Sequence, residues 1–251
     1  MKVIAIIPAY NEEATLAEVL QKTCPFVDAV VVVDDGSTDR TPSIARANGT
    51  IVVSHLINRG LGGAIGTGFE AAKRLGADVV ITLDADGQHD PAQIPLFLTA
   101  IQQGADVVIG SRMLIPPLPE GGLGGVGAHP NESEDGLGGE GLPRDHRGMP
   151  LHRKIAQHLG NLATLVLFGA WVTDSQSGFR AFTSSALSKI QIQTNRMEVS
   201  SELIAEARRH RLALVEIPIH AIYTDYSLSK GQNFFMGMKT LFKLVVRRIT
   251  Q

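Results

Sequence analysis

Asp84 and Asp86 stand one residue apart, behind the apolar run Val79-Val80-Ile81-Thr82-Leu83 and ahead of Gly87-Gln88-His89. A strand alternates its side chains, so this spacing predicts that both carboxylates leave on one side. Asp90-Pro91 follows as an N-cap and first helical residue. The pair is therefore expected where a strand ends and a helix begins, the ligand edge of an open α/β sheet. Two close carboxylates repel each other unless a proton or a cation lies between them. A hard divalent ion, Mg2+ or Mn2+, answers that repulsion and would hold phosphate oxygens in turn. A polar turn whose aspartates only cap a helix fits the same residues, and the spacing leaves both readings open.

Two other expected strand ends are polar. Tyr10-Asn11-Glu12 follows the run Val3-Ile4-Ala5-Ile6-Ile7, and Asp34-Asp35-Gly36-Ser37-Thr38-Asp39 follows Ala29 to Val33. In a doubly wound sheet such ends converge on one crevice. An acidic crevice is a poor seat for a bare nucleotide phosphate and a good one once a dication is present. Asp35 would then accept hydrogen bonds from a base or a ribose hydroxyl. The chain has no Gly-x-Gly-x-x-Gly after the first strand and no Gly-Lys-Ser/Thr phosphate loop. That counts against a dinucleotide oxidoreductase and a P-loop NTPase.

The elements that must position these groups follow from periodicity. Strands are expected at Lys2–Ile7, Ala29–Val33, Ile51–Ser54, the acidic strand, Asp106–Ile109 and Leu212–Ile217. Helices are expected after Asn11 as cap, from Asp39 towards Gly49, from the Asn58-Arg59-Gly60-Leu61-Gly62-Gly63 turn to Gly76, and from Pro91 to Gly104. Two more fall at Ser184–Lys189 and about Glu198–His210, where Glu198 and Glu202 read as a solvated face. Thr173 to Arg180 reads as a polar loop. Strands alternating with helices at this spacing predict an α/β fold: a single doubly wound, mostly parallel, Rossmann-like sheet with helices on both faces.

Residues 113–150 are glycine-rich and aperiodic, which suits a mobile insertion or a lid. A helix at Leu151–Phe168 restores periodicity, and an amphipathic helix over residues 232–249 ends the pattern. Its row of Lys239, Lys243 and Arg247 fits a solvated face and equally a helix lying on an anionic membrane. The chain has 251 residues, 44% of them hydrophobic, and a net charge of −2, which suits one domain over 1–251 and no nucleic-acid partner. The lone Cys24 excludes an internal disulfide and is expected to pack as a small apolar residue on a helix. There is no signal-peptide pattern, and the longest apolar run, Leu162 to Val172, is too short to span a bilayer. The expected location is the cytoplasm, with at most peripheral contact on the cytoplasmic membrane face.

Ile7-Pro8-Ala9-Tyr10-Asn11-Glu12, Val33-Asp34-Asp35-Gly36-Ser37-Thr38-Asp39 and Asp84-Ala85-Asp86-Gly87-Gln88-His89 together resemble the family 2 glycosyltransferases of GT-A fold. Asn58-Arg59-Gly60-Leu61-Gly62, Gly110-Ser111-Arg112 and Asp174-Ser175-Gln176-Ser177-Gly178-Phe179-Arg180 are similar to the dolichyl- or polyprenyl-phosphate sugar transferase branch, the dolichol-phosphate mannose synthase type. The resemblance implies inverting transfer of a sugar from a nucleotide-diphosphate sugar, of the GDP-mannose or UDP-glucose type, to a polyprenyl-phosphate lipid. It implies that Pro8, Tyr10, Glu12 and Asp35 hold the nucleoside, and that Asp84, Ala85, Asp86 and Gln88 hold the metal and diphosphate. By the same resemblance Arg112 and Arg153 meet the acceptor phosphate, Asp174 and Arg180 sit near the reacting centre, and Lys230 closes on the diphosphate.

The late stretch Thr224-Asp225-Tyr226-Ser227-Leu228-Ser229-Lys230 departs from the Arg-x-x-Gly-x-Ser-Lys of many phosphate-lipid members. That departure, and the lack of an anchor, keeps open a hydroxyl acceptor in polysaccharide, glycolipid or small-molecule glycoside synthesis, or a membrane-anchoring partner subunit. A non-catalytic nucleotide-sugar binding subunit is the reading from a different class, and the intact acidic pair speaks against it.

Overall fold

The computed structural model describes residues 1–114 and 172–222. Arg153, Lys230, the helices expected at 151–168 and 232–249, and nearly all of the 113–150 insertion lie outside the described residues.

Among the described residues seven strands form one sheet: β1 (Val3–Ala9), β2 (Ala29–Asp34), β3 (Ile51–Ser54), β4 (Val79–Thr82), β5 (Val107–Ser111), β6 (Arg180–Thr183) and β7 (Leu214–Pro218). Their order is β3-β2-β1-β4-β6-β5-β7. The helices are α1 (Leu16–Thr23), α2 (Thr41–Ala47), α3 (Leu61–Arg74), α4 (Ile94–Gln102), α5 (Ser184–Lys189) and α6 (Val199–Arg209). The chain steps outward from β1 to β2 and β3, then α3 carries it back to β4 on the other side of β1. The order of strands therefore reverses between β1 and β4, where open α/β sheets bind ligands.

Alternation along the strands sorts the core into two layers. Val3, Ala5 and Ile7 of β1 face Leu16, Leu20, Ala45, Ile94 and Phe97 from α1, α2 and α4. Ile4 and Ile6, with Val31 and Val33, face Ala64, Ile65, Phe69 and Ala72 of α3 and Leu203 of α6. Ile4, Ile6 and Ile7 are completely buried, each contributing about 1.5–3 kcal/mol. Burial on both faces explains why these strands read as unbroken apolar runs.

Several expectations need correction. β6 falls inside what reads as the end of a polar loop and the residues after it, and it is antiparallel to both β4 and β5. Its four residues carry an arginine and lie between strands distant in sequence, so no local pattern marks it. Asn11 does not cap a helix. It takes a left-handed backbone, φ 54, and its side chain accepts from the Thr38 amide, while α1 begins only at Leu16. Cys24 is exposed and lies in a 3-10 turn, Cys24–Phe26, not on an apolar helix face. Glu198 is buried, and Glu202 accepts from the amides of Gln193 and Thr194 and the Thr194 hydroxyl. That face therefore anchors the loop before α6 and is not a solvated surface. The anchored loop presses on the start of α3: a Cβ at Gly62 would fall on the Thr194 carbonyl, and the Gly63 amide donates to the Asn195 carbonyl at 3.2 Å.

Candidate active site

The loops after β1, β2 and β4 are tied together at the carboxyl edge of the sheet. The Asn11 amide donates to Ser37 Oγ at 3.0 Å, and the Glu12 amide to Thr41 Oγ1 at 2.8 Å. Thr15 Oγ1 donates to the Ala85 carbonyl at 2.8 Å and lies 3.3 Å from Glu12 Oε2. Tyr10, Glu12 and Asp35 therefore share one rim with the acidic turn. Tyr10 is 46% exposed, whereas Ala85 packs its methyl into the core. Pro8 lines a small cavity of about 20 Å³ with Asp84, Gly178, Arg180 and Leu61, room for about one water.

Asp35 is buried and already engaged. Its oxygens accept from the amides of Arg59 (2.8 Å) and Gly60 (2.7 Å), and lie 2.7 Å from His55 Nδ1. His55 Nε2 in turn meets Thr67 Oγ1 of α3 at 2.8 Å. Asp35 thus fixes the loop between β3 and α3 in place. His55 escapes sequence reasoning; its position at the end of a strand, level with the aspartates of β2, is the signal that marks it.

The acidic turn also differs from expectation. β4 ends at Thr82, so Asp84 and Asp86 sit on a turn and strand alternation does not orient them. Asp84 keeps 39% of its side chain exposed and takes a 3.1 Å contact from His89 Nε2. The surrounding protein opposes its ionisation, but the His89 hydrogen bond and the charges of His89, Arg112 and Arg180 hold its carboxyl below the usual range. Asp86 goes the other way: burial, then the negative charge of Asp84, push its carboxyl up against the bonds from Gln88. Gln88 turns its amide on Asp86, with Nε2 at 2.5 Å from Oδ2 and its backbone amide at 3.0 Å from Oδ1. Asp90 does cap the following turn, accepting from the Ala92 amide.

Three neighbours shape this turn. Gly178 lies against the Asp84 carboxylate so closely that a Cβ there would overlap it. His89 is buried beside the Phe179 ring, and among the described residues its Nδ1 has no hydrogen-bond partner. The segment after β7 runs alongside, the Ile222 amide donating to the Gln88 carbonyl at 2.9 Å.

Arg112 and Asp174 form one unit. Arg112 Nε and Nη2 reach Asp174 Oδ2 and Oδ1 at 2.7 and 2.9 Å, and the Arg112 amide adds a third bond at 3.1 Å. Asp174 is fully buried. Arg180, expected near the reacting centre, is 2% exposed and donates to the carbonyls of Ser175, Ser177 and Ser200. Burial pulls its guanidinium down to about 10, against the charges of Asp174 and Asp84. Its fork thus shapes the 174–178 loop, and its charge reaches the acidic turn at longer range.

The chain is similar to several known proteins. Glycosyl transferase family 2 matches residues 4–120. A UDP-N-acetylglucosamine–dolichyl-phosphate N-acetylglucosaminyltransferase of Methanococcus voltae is 33% identical over 97% of this chain and 95% of its own length. An undecaprenyl-phosphate mannosyltransferase of Micrococcus luteus is 30% identical over 94% and 90%. Among solved structures, glucosyl-3-phosphoglycerate synthase from Mycobacterium tuberculosis, in complex with Mn2+, UDP-glucose and phosphoglyceric acid, superposes with a TM-score of 0.66 at 20% identity. That match covers 98% of this chain and 79% of the other, and it bears on the fold alone. The chain is a glycosyltransferase and belongs to family 2, in the polyprenyl-phosphate sugar transferase branch.

Proposed function

We propose that this glycosyltransferase moves a sugar from a nucleotide-diphosphate sugar, of the GDP-mannose or UDP-glucose type, to a polyprenyl or dolichyl phosphate, with inversion and with Mg2+ or Mn2+. The observation that carries the reading is the acidic turn at the carboxyl edge of the sheet, where Asp84 and Asp86 interact and Gly178 is pressed against Asp84, with an arginine, Arg112, near enough for its charge to be felt at Asp84.

The donor set fits a hard ion. Asp86 is pushed up by burial and then by the charge of Asp84, and an added cation would relieve the second of these. Among the described residues no group of three or more His, Cys, Asp or Glu is arranged to hold a metal alone. That suits an ion held by one or two carboxylates and completed by substrate phosphates. Asp84 and Asp86 would hold it, and Gln88 would brace Asp86 or turn its carbonyl to the ion. Bound there, the ion would stabilise the charge gained by the leaving diphosphate.

The chain's own groups supply the rest. Tyr10, Glu12 and Pro8 border the nucleoside side, and Asp35 holds the Arg59-Gly60 loop that closes it. The acceptor phosphate is already an anion and needs little help from a base. Arg112, with Arg153, would bring it to the sugar as an always-charged donor, and Lys230 would close on the diphosphate. Asp174 orients Arg112 and is not required as a base. The whole chain, 1–251, acts as one domain. It works at the cytoplasmic membrane face, through the helix expected at 232–249 or an anchoring subunit. Among the described residues no helix is long and apolar enough to cross a membrane.

The test is a panel of nucleotide sugars with Mn2+, offered a short polyprenyl phosphate or water-soluble hydroxyl acceptors. A phosphate-linked lipid product of inverted anomeric configuration is expected; product only on hydroxyl acceptors would reject the reading.

A further inference from the structure

Glu216 stands in the middle of β7, opposite Ile109 of β5. Strand alternation puts it on the face of Leu214, which packs against Ile109, Val172 and Ile204. An acid on an apolar seam costs stability unless its oxygens are satisfied. Here they are satisfied by two consecutive residues. Both oxygens accept from the Thr173 amide (2.9 and 2.8 Å), and Oε1 accepts from Thr173 Oγ1 (3.0 Å) and the Asp174 amide (3.1 Å).

A carboxylate only accepts, so the Thr173 hydroxyl donates to Glu216. Its 2.6 Å bond with Ser111 Oγ must then be donated by Ser111, which itself accepts from the Met113 amide at 3.2 Å. Ser111 and Met113 flank Arg112 on both sides. On the other branch, the Asp174 amide is held by Glu216 while its carboxylate grips Arg112 three times. Both branches start at Glu216 and end on Arg112.

We infer that Glu216 is a positioning residue for sugar transfer: it holds Thr173 and Asp174 so that Arg112 is presented to the acceptor phosphate at a fixed place. The inference rests on the reading of Arg112 as the group that meets that phosphate. It makes the edge strand β7, far from the nucleoside loops, a determinant of acceptor binding.

The test compares Glu216→Gln, Arg112→Lys and the double variant in the full chain, with a short polyprenyl phosphate as acceptor. Glu216→Gln keeps shape but turns an acceptor oxygen into an NH2 facing amide donors. The expected result is an acceptor KM raised roughly tenfold, with the affinity for nucleotide sugar unchanged within about twofold. The double variant should lose less than the product of the two single losses, because both act through one contact. Equal weakening of donor and acceptor, or full additivity, would overturn the inference. If Arg112→Lys leaves acceptor KM unchanged, the reading of Arg112 fails. The coupling of Glu216 and Arg112 in urea unfolding then still decides whether Glu216 acts on Arg112: additive stabilities overturn it. Should Glu216→Gln not fold, Thr173→Val keeps the backbone bonds and removes only the hydroxyl branch. It should raise acceptor KM about threefold, and no change would count against the inference.

Discussion

The two poles of the candidate site are built in opposite ways. At the acidic turn, Asp84 and Asp86 stand close with no arginine or lysine bonded to either among the described residues, and burial, then the charge of Asp84, pushes up the Asp86 carboxyl. At the other pole, Asp174 is sealed from solvent, its carboxylate paired with Arg112 and its backbone amide held by Glu216. The first pole is the one the proposed ion would complete. The second is assembled by the chain itself and gains little from any added ion. A site with this division can keep its acceptor side rigid while its donor side changes state with the bound ion.

The largest break in that contrast should come from Asp86→Ala, which removes half of the acidic pair. Transfer should fall roughly 10³-fold and Mn2+ binding, followed by paramagnetic resonance, should be lost, with little change in unfolding midpoint. Chelation of wild-type protein should give the same loss of transfer, restored by Mg2+ or Mn2+; transfer unchanged in chelator would dissolve the contrast. Next in size, Asp174→Asn should lower stability by about 3–5 kcal/mol in urea unfolding, because Arg112 is left facing a partner without charge. A loss confined to activity would mean the second pole is not self-assembled. Gly178→Ala should push Asp84 aside, weakening Mn2+ binding about tenfold by titration while Arg112 and Asp174 stay paired. The smallest effect belongs to Lys22→Ala, which breaks the exposed pair with Glu18 and should change stability by less than about 0.5 kcal/mol.

Much of the donor side is legible in the sequence because its signals are local. The runs of β1, β2 and β4 carry their burial in their composition, and Gly49, Gly76 and Gly104, which mark the expected helix limits, all take positive φ just past helix ends. Asp90 caps where its neighbour Pro91 says it should. The second pole is not legible, because its parts lie far apart in sequence. Arg112 and Asp174 are separated by 62 residues, and Glu216 lies another 42 beyond Asp174. Motif resemblance gives Arg112 and Asp174 separate roles; only packing makes them a pair. Glu216 is hidden because one acid in a half-buried strand looks like ordinary alternation. For Arg180 the sequence shows an arginine beside the motif but not its three carbonyl partners, which only packing supplies.

The antiparallel strand β6 has a consequence for how the molecule comes together. β4 and β5 never touch as neighbours; each waits for residues 180–183 to slide between them. During synthesis the first four strands have partners as soon as Thr82 is made, but β5 has no place in the sheet until β6 emerges. A chain halted before Arg180 would carry two open strand edges, at β4 and β5, ready to pair with another molecule. Because the same insertion brings Gly178 to Asp84 and Asp174 to Arg112, both halves of the candidate site depend on β6 being in place.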